Sequence, residues 1–254
     1  MKWKVRFFIP VSFTFLFFTS AFLLITTFAH YFMQYLLHID TASDTGVVAI
    51  GGDGRLVASR INEESRNHAA TINLMIEGVL ADAMISFADL SAVVVCAGPG
   101  SYTGLRIGLA TAKGLCYALD KPLILDNLLA LLAYHAFRKH YNTFDQYISL
   151  LVARDKEYFI GIYDHDFNCT LQPQHIMEEQ LEQLIKKNEY ACIITNASSD
   201  IITALNISAF QSDNNIKITL DSWCFYAFEK IKCNNIVNLS ASEPFYLKQV
   251  YTHK

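Results

Sequence analysis

The chain has 254 residues, enough for one or two domains with a substantial buried core. Apolar residues make up 52% and charged residues 17%, which excludes a disordered, collagen-like or coiled-coil protein. Residues 1–32 hold Lys2, Lys4 and Arg6 and no acid, which leaves 17 basic against 24 acidic side chains in the other 222 residues. With no basic excess and no basic run, that body is a poor stand-alone binder of a phosphate backbone.

From Phe7 to Ala29 there are 23 uncharged residues, 16 of them apolar, holding 8 of the 18 Phe. A bilayer crossing needs about 20, so the run reads literally as a signal anchor. It exceeds the roughly 7–15 apolar residues of a cleavable signal peptide. Met33 then opens MQYLLHIDTASDTG, a strand start with no spacer before it. Residues 1–32 are therefore expected to be an upstream extension joined to a true start at Met33, with a membrane anchor as the alternative.

Tyr35–Asp40, Val47–Ile50 and Leu56–Arg60 are short apolar runs separated by SDTG and GGDG, which predicts a three-stranded antiparallel meander. Asn67 is the expected cap of a helix through Ile72, Met75, Ile76, Val79 and Ala83. Ala92–Ala97 is a β-branched run that predicts a strand covered on both faces. A glycine-rich turn and a helix from Thr103 to Leu119 follow, then a strand at Pro122–Leu125 and a helix at Asn127–His140. A second set repeats the alternation: strands at Gln146–Ala153 and Tyr158–Tyr163, a helix near Glu178–Lys187, a strand at Cys192–Thr195 and a helix from near Ser198. The order predicts an α/β protein of two lobes with mixed sheets and a cleft.

The segment Gly98-Pro99-Gly100-Ser101-Tyr102-Thr103-Gly104 joins a strand to a helix N-terminus, where free N–H groups and the helix dipole suit an anion. It is neither a Walker A loop nor GxGxxG, and a tight turn whose glycines permit close packing is the competing reading. Asp40, ending the first strand, could orient magnesium or water against a phosphate, or simply cap a hairpin. The nucleotide candidates are thus Asp40, Gly98, Gly100, Ser101, Thr103 and Gly104. His135 and His140 are five apart, about 140° around a helix, and cannot share a metal. No HxxxH, HExxH, CxxC or GxSxG occurs, so neither a metal site nor a hydrolase triad is expected, and the six cysteines read as reduced.

These residues resemble the TsaB (YeaZ) family of the actin-like ATPase superfamily. The resemblance is carried by IDTASDTG, by Arg66-Asn67-His68 and above all by AGPGSYTGLRIGLATAKGL from Ala97 to Leu115. Ala153-Arg154 with Glu157, and Pro244, Tyr246 and Lys248, match more thinly. It implies two actin-like (RNase H-like) lobes: residues 33–140, with 221–254 returning to them, and a more degenerate lobe at 141–220. It further implies a cytoplasmic, non-catalytic subunit in the synthesis of tRNA threonylcarbamoyladenosine (t6A). The subunit would pair with the catalytic TsaD, TsaE would join as an ATPase, and tRNA would be met only through the complex. No cofactor is expected to be held firmly, ATP and Mg entering at the level of the complex, and a homodimer is left open. Where the family tends to show a glycine-bearing loop in the second lobe, this chain has Thr195-Asn196-Ala197-Ser198, which weakens independent ATP binding.

Two other classes stay in play, a free-standing actin-like ATPase or kinase and a membrane-tethered binding protein. The helix after Asn67 has apolar groups on more than one stripe, and so has the helix from Thr103. In the family such a pair of helices packs on TsaD, which implies a partner face drawn from His68, Ile72, Leu74, Met75, Ile76, Val79 and Ala112.

Overall fold

The computed structural model describes residues 33–64, 67–141, 143–186, 190–204, 211–213 and 219–247. The N-terminal extension at 1–32 lies outside the described residues, as do Arg66 and Lys248.

Five strands form the first sheet: β1 (Tyr35–Asp40), β2 (Gly46–Gly52), β3 (Arg55–Asn62), β4 (Leu90–Cys96) and β5 (Leu123–Asp126), in the spatial order β3-β2-β1-β4-β5. The β1–β2 and β2–β3 pairs are antiparallel, and β1–β4 and β4–β5 are parallel. The second sheet comprises β6 (Gln146–Arg154), β7 (Glu157–Asp164), β8 (Cys169–Met177), β9 (Ala191–Thr195) and β10 (Gln211–Asp213), in the order β10-β9-β6-β7-β8. Relabelled from its first strand, this is the same order with the same pairing senses. The chain is therefore an internal duplication of one α/β unit, the actin-like arrangement, although no sequence repeat is visible.

The helices are α1 (His68–Asp82), α2 (Tyr102–Leu119), α3 (Leu128–Lys139), α4 (Glu178–Lys186), α5 (Ser199–Ala204) and α6 (Leu220–Lys232). Helix α1 lies on β2 and β3, and α2 on β1 and β4. On the opposite face of the first sheet, Trp223 and Ala227 of α6 pack with Leu36, Ala92, Val94 and Ile124. Strand β4 is consequently covered on both faces, as its β-branched run predicts. Helix α3 is apolar on every side from Leu128 to Tyr134, and Leu129 to Tyr134 are all buried. Its Leu131 joins the first core while Leu129, Leu132, Ala133 and Ala136 pack on Tyr147, Leu151 and Ile194 of the second sheet.

Three elements depart from expectation. Strand β8 was not predicted, because CTLQPQHIM is polar and holds Pro173. It is an edge strand, where a missing N–H is tolerated. The short strand β10 and the helix α6 were also missed. Asn67 precedes α1 but makes no side-chain cap bond; its carbonyl accepts from Ala70 and Thr71 instead.

Helix α6 is fastened by a buried charge. Asp126, at the end of β5, is fully buried and accepts from Lys230 Nζ and from Trp223 Nε1, each at 2.7 Å. Breaking a buried pair from one side costs about 3 kcal/mol. Lys230→Met should lower the melting temperature by about 6–12 °C, and Lys230→Met with Asp126→Asn should recover part of it; an unchanged melting temperature would refute this role. His38 is buried edge-on to Trp223, with ring centroids 5.0 Å apart, and burial pushes its pKa down to about 4. The unfolded chain takes up that proton at about 6.5 and the folded chain does not, so stability falls as pH drops from about 6.5 to 4, by about 3 kcal/mol in all. Denaturant titrations across that range should show a shallower loss for His38→Leu than for the unaltered chain.

Candidate functional site

The sheets face each other across a cleft of about 570 Å³. The first unit contributes Asp40, Ala42, Ser43, Thr45, Ile61, Glu63 and Gly100, and the second Leu151, Val152, Phe159 and Asn196; Leu128, Leu220 and Trp223 also line it. No Lys or Arg is among these described lining residues.

Asp40 sits at the end of β1 with its Oδ1 accepting from the Ala42 N–H at 2.8 Å. Burial pushes its pKa up, and the bonds from Ala42 and the Cys96 thiol oppose that rise. It opens the 41–45 loop by the same bond that would cap a hairpin. His68 holds the far side of this loop: it is buried, and its Nε2 donates to the Ser43 carbonyl at 2.9 Å.

The glycine-rich turn packs directly on this loop. Ser101 N donates to Ala42 O at 2.7 Å, and Thr41 Oγ1 donates to Gly104 O at 2.7 Å. A Cβ on Gly100 would collide with Ala42 O, one on Gly104 with Thr41 O and one on Gly108 with Thr41 Oγ1. Three glycines spaced by four thus form a trough in α2 and the turn before it, which admits the backbone of Thr41 and Ala42. Gly98 takes φ +116°, a conformation that favours glycine. The helix start is capped from within, since Gly104 N donates to Ser101 Oγ and Leu105 N to Ser101 O. Of the six nucleotide candidates, Asp40 and Gly100 line the cleft, Gly98 and Gly104 are buried, and Ser101, the cap of α2, and Thr103 in its first turn are exposed. At the matching turn of the second unit, Asn196 Oδ1 accepts from Val152 N at 2.7 Å and Thr195 Oγ1 from Ala197 N at 3.0 Å. Side chains do there what glycine does in the first unit.

The partner-face candidates divide sharply. His68, Ile72, Ile76, Val79 and Ala112 are 6%, 3%, 2%, 0% and 0% exposed. These five are corrected to core residues: they form the stripe that each helix needs against the first sheet. Leu74 is 67% exposed and Met75 half-buried, so those two stand outward on α1. On the neighbouring α2, Ile107 and Thr111 are half-buried and Ala110 and Gly114 exposed. Gly114 has no atom within 4 Å of where its Cβ would be. A mid-helix glycine costs about 1 kcal/mol against alanine, and no packing among the described residues requires this one.

The C-terminal segment returns to the first unit, as the resemblance implies, and the structure adds the bonds that hold it there. Val237 N donates to Leu123 O and Phe245 N to Ala97 O, so residues 237–247 form a strap alongside β5 and across the turn. Pro244 and Tyr246, noticed in the sequence without a role, lie where the strap meets α2. Among the described residues no three His, Cys, Asp or Glu side chains are grouped to hold a metal, and no helix is long and apolar enough to cross a membrane.

A family model described as TsaD, tRNA N6-adenosine threonylcarbamoyltransferase, matches residues 56–197, more than half of the chain. The tRNA threonylcarbamoyladenosine biosynthesis protein TsaB of Escherichia coli K12 is 32% identical over 158 residues, covering 59% of this chain and 67% of that protein. TsaB of Bacillus subtilis 168 is 34% identical over 158 residues, covering 61% and 67%. The structure of YeaZ from Pseudomonas aeruginosa superposes with a TM-score of 0.65 at 21% identity, over 85% of this chain and 100% of that one. A glycine trough seated on the loop after β1, in a duplicated five-stranded unit, accompanies this similarity, and the chain belongs to the TsaB (YeaZ) family.

Proposed function

We propose that the chain is a non-catalytic subunit of the apparatus that makes threonylcarbamoyladenosine in tRNA, and that it supports a catalytic subunit of the TsaD type. The observation that carries the partner reading is the outer face of α1 and α2. Leu74 and Met75 on α1 and the half-buried Ile107 and Thr111 on α2 stand outward, so an apolar helical surface is left without a covering element among the described residues. A second pair of helices can pack on such a face, and Leu74 is the apolar anchor that interface needs. TsaE as an ATPase and a homodimer of this chain belong to the same reading, the homodimer competing for the same face.

The reading of this chain as an ATPase or kinase in its own right is disfavoured by the trough. The turn that would cradle a phosphate donates Ser101 N to Ala42 O, and its glycines are filled by Thr41 and Ala42. The cleft wall adds Asp40 and Glu63, which would repel a polyphosphate. The reading therefore assigns nucleotide to the assembled complex and tRNA chemistry to the partner.

A buried charge without a partner costs several kcal/mol of binding, with about 1.4 kcal/mol per factor of ten. In co-purification with the TsaD-type subunit, Leu74→Glu and Met75→Glu should stay folded and bind about 100-fold more weakly, whereas Ile76→Glu should not fold. Normal binding by both folded variants would place the interface elsewhere. Calorimetry of the isolated chain with ATP and magnesium should show no micromolar binding; tight binding that Asp40→Ala removes would restore the kinase reading.

A further inference from the structure

Helix α2 carries Arg106 and Lys113 and no acidic residue from Tyr102 to Leu119, on a chain whose net charge is negative. Both cations lie on the side of the helix that meets the strap, away from Ile107 and Thr111. Arg106 lies against a pair of aromatic rings: its Cζ is 4.0 Å from the Tyr102 ring centroid and 6.0 Å from that of Tyr246. Its Nε donates to Tyr246 Oη at 3.0 Å and its Nη2 to Tyr102 Oη. The two rings are 4.9 Å apart, and each is more than a third exposed. One helix length away, Tyr117 is 84% exposed, the most exposed large hydrophobic side chain of the described residues.

Between α2 and the strap run two recesses of about 390 and 630 Å³ that share Lys113. The first is lined by Arg106 and Tyr246, the second by Tyr117 and Asn238. Lys113 donates to the carbonyls of Ser240 and Ser242 at 3.3 and 3.2 Å, which leaves one of its three ammonium hydrogens for an anion. Glu243 is the single acid in this lining, against two cations.

Exposed aromatic rings alternating with Arg and Lys along a groove match the chemistry of unstacked nucleobases joined by phosphates. A protein partner would favour an uncharged centre. We propose that the groove between α2 and the strap binds single-stranded RNA, taking an unpaired loop of the substrate tRNA with bases on Tyr117 and on the Tyr102–Tyr246 pair and phosphates on Arg106 and Lys113. This rests on the reading of the chain as a subunit of a tRNA-modifying assembly.

The test uses the full chain with its TsaD-type partner and an unmodified tRNA transcript followed by fluorescence anisotropy at several salt concentrations. Tyr117→Ala and Tyr246→Leu should each weaken tRNA binding about fivefold to tenfold, and Arg106→Gln should lower the salt slope by about one, while co-purification with the partner is unchanged. Unchanged affinity and slope in variants that still bind the partner would overturn the proposal. So would a photoreactive residue at position 117 that captures the partner protein rather than RNA. If the unaltered chain neither binds the partner nor supports modification, the subunit reading fails instead. The same titration on the chain alone, with Tyr117→Ala as control, then decides the groove.

Discussion

The loop after β1 lies in a trough made by three glycines, and much of the molecule depends on that contact. Thr41 and Ala42 occupy the space that side chains at 100, 104 and 108 would fill. This brings β1 and α2 within backbone distance and fixes where Asp40 leaves the sheet. It also fixes the path of Ser43, to which His68 is bound. Glycines that elsewhere free backbone for a ligand are here consumed by the chain itself. A single packing decision thus shapes the cleft, seats α1 and α2 side by side, and sets which of their faces point outward.

The strands and helices of the first unit were legible because each is a short apolar run bounded by turn formers. Ala92–Ala97 announced its two covered faces by its β-branched composition, and the structure buries Leu90–Cys96 from both sides. Strand β8 was not legible because an edge strand has a polar face and tolerates Pro173. Helix α6 was missed because what holds it, the Asp126–Lys230 bond, joins residues 104 apart in the chain. No local pattern records such a contact.

The site residues show the same limit from another side. Periodicity correctly grouped Ile72, Ile76 and Val79, but a stripe with this spacing says only that one face is covered, not by what. The covering element is the chain's own sheet, so these residues are core and the adjacent Leu74 is what remains. Likewise the run from Ala97 to Leu115 was recognisable by family while its physics stayed open between anion binding and tight packing. The contacts that show the packing, Ser101 N on Ala42 O and the close approaches at Gly100 and Gly104, are all tertiary.

Duplication explains why one unit can keep a trough and the other discard it. Both sheets have the same strand order, so the turns after β4 and β9 occupy corresponding places. In the first, glycines accept a backbone; in the second, Asn196 and Thr195 bind the neighbouring backbone by side-chain hydrogen bonds. Two glycine turns facing across a cleft would leave amides from both units for a shared anion. One closed by packing and one by side chains leave a cleft walled by Leu151, Phe159 and Trp223 with carboxylates at Asp40 and Glu63. That wall is apolar and acidic, and no Lys or Arg is among its described lining residues. Two cations of the first unit, Arg106 and Lys113, stand instead on α2 beside the strap, so the cleft and the groove proposed for RNA are lined by side chains of opposite charge.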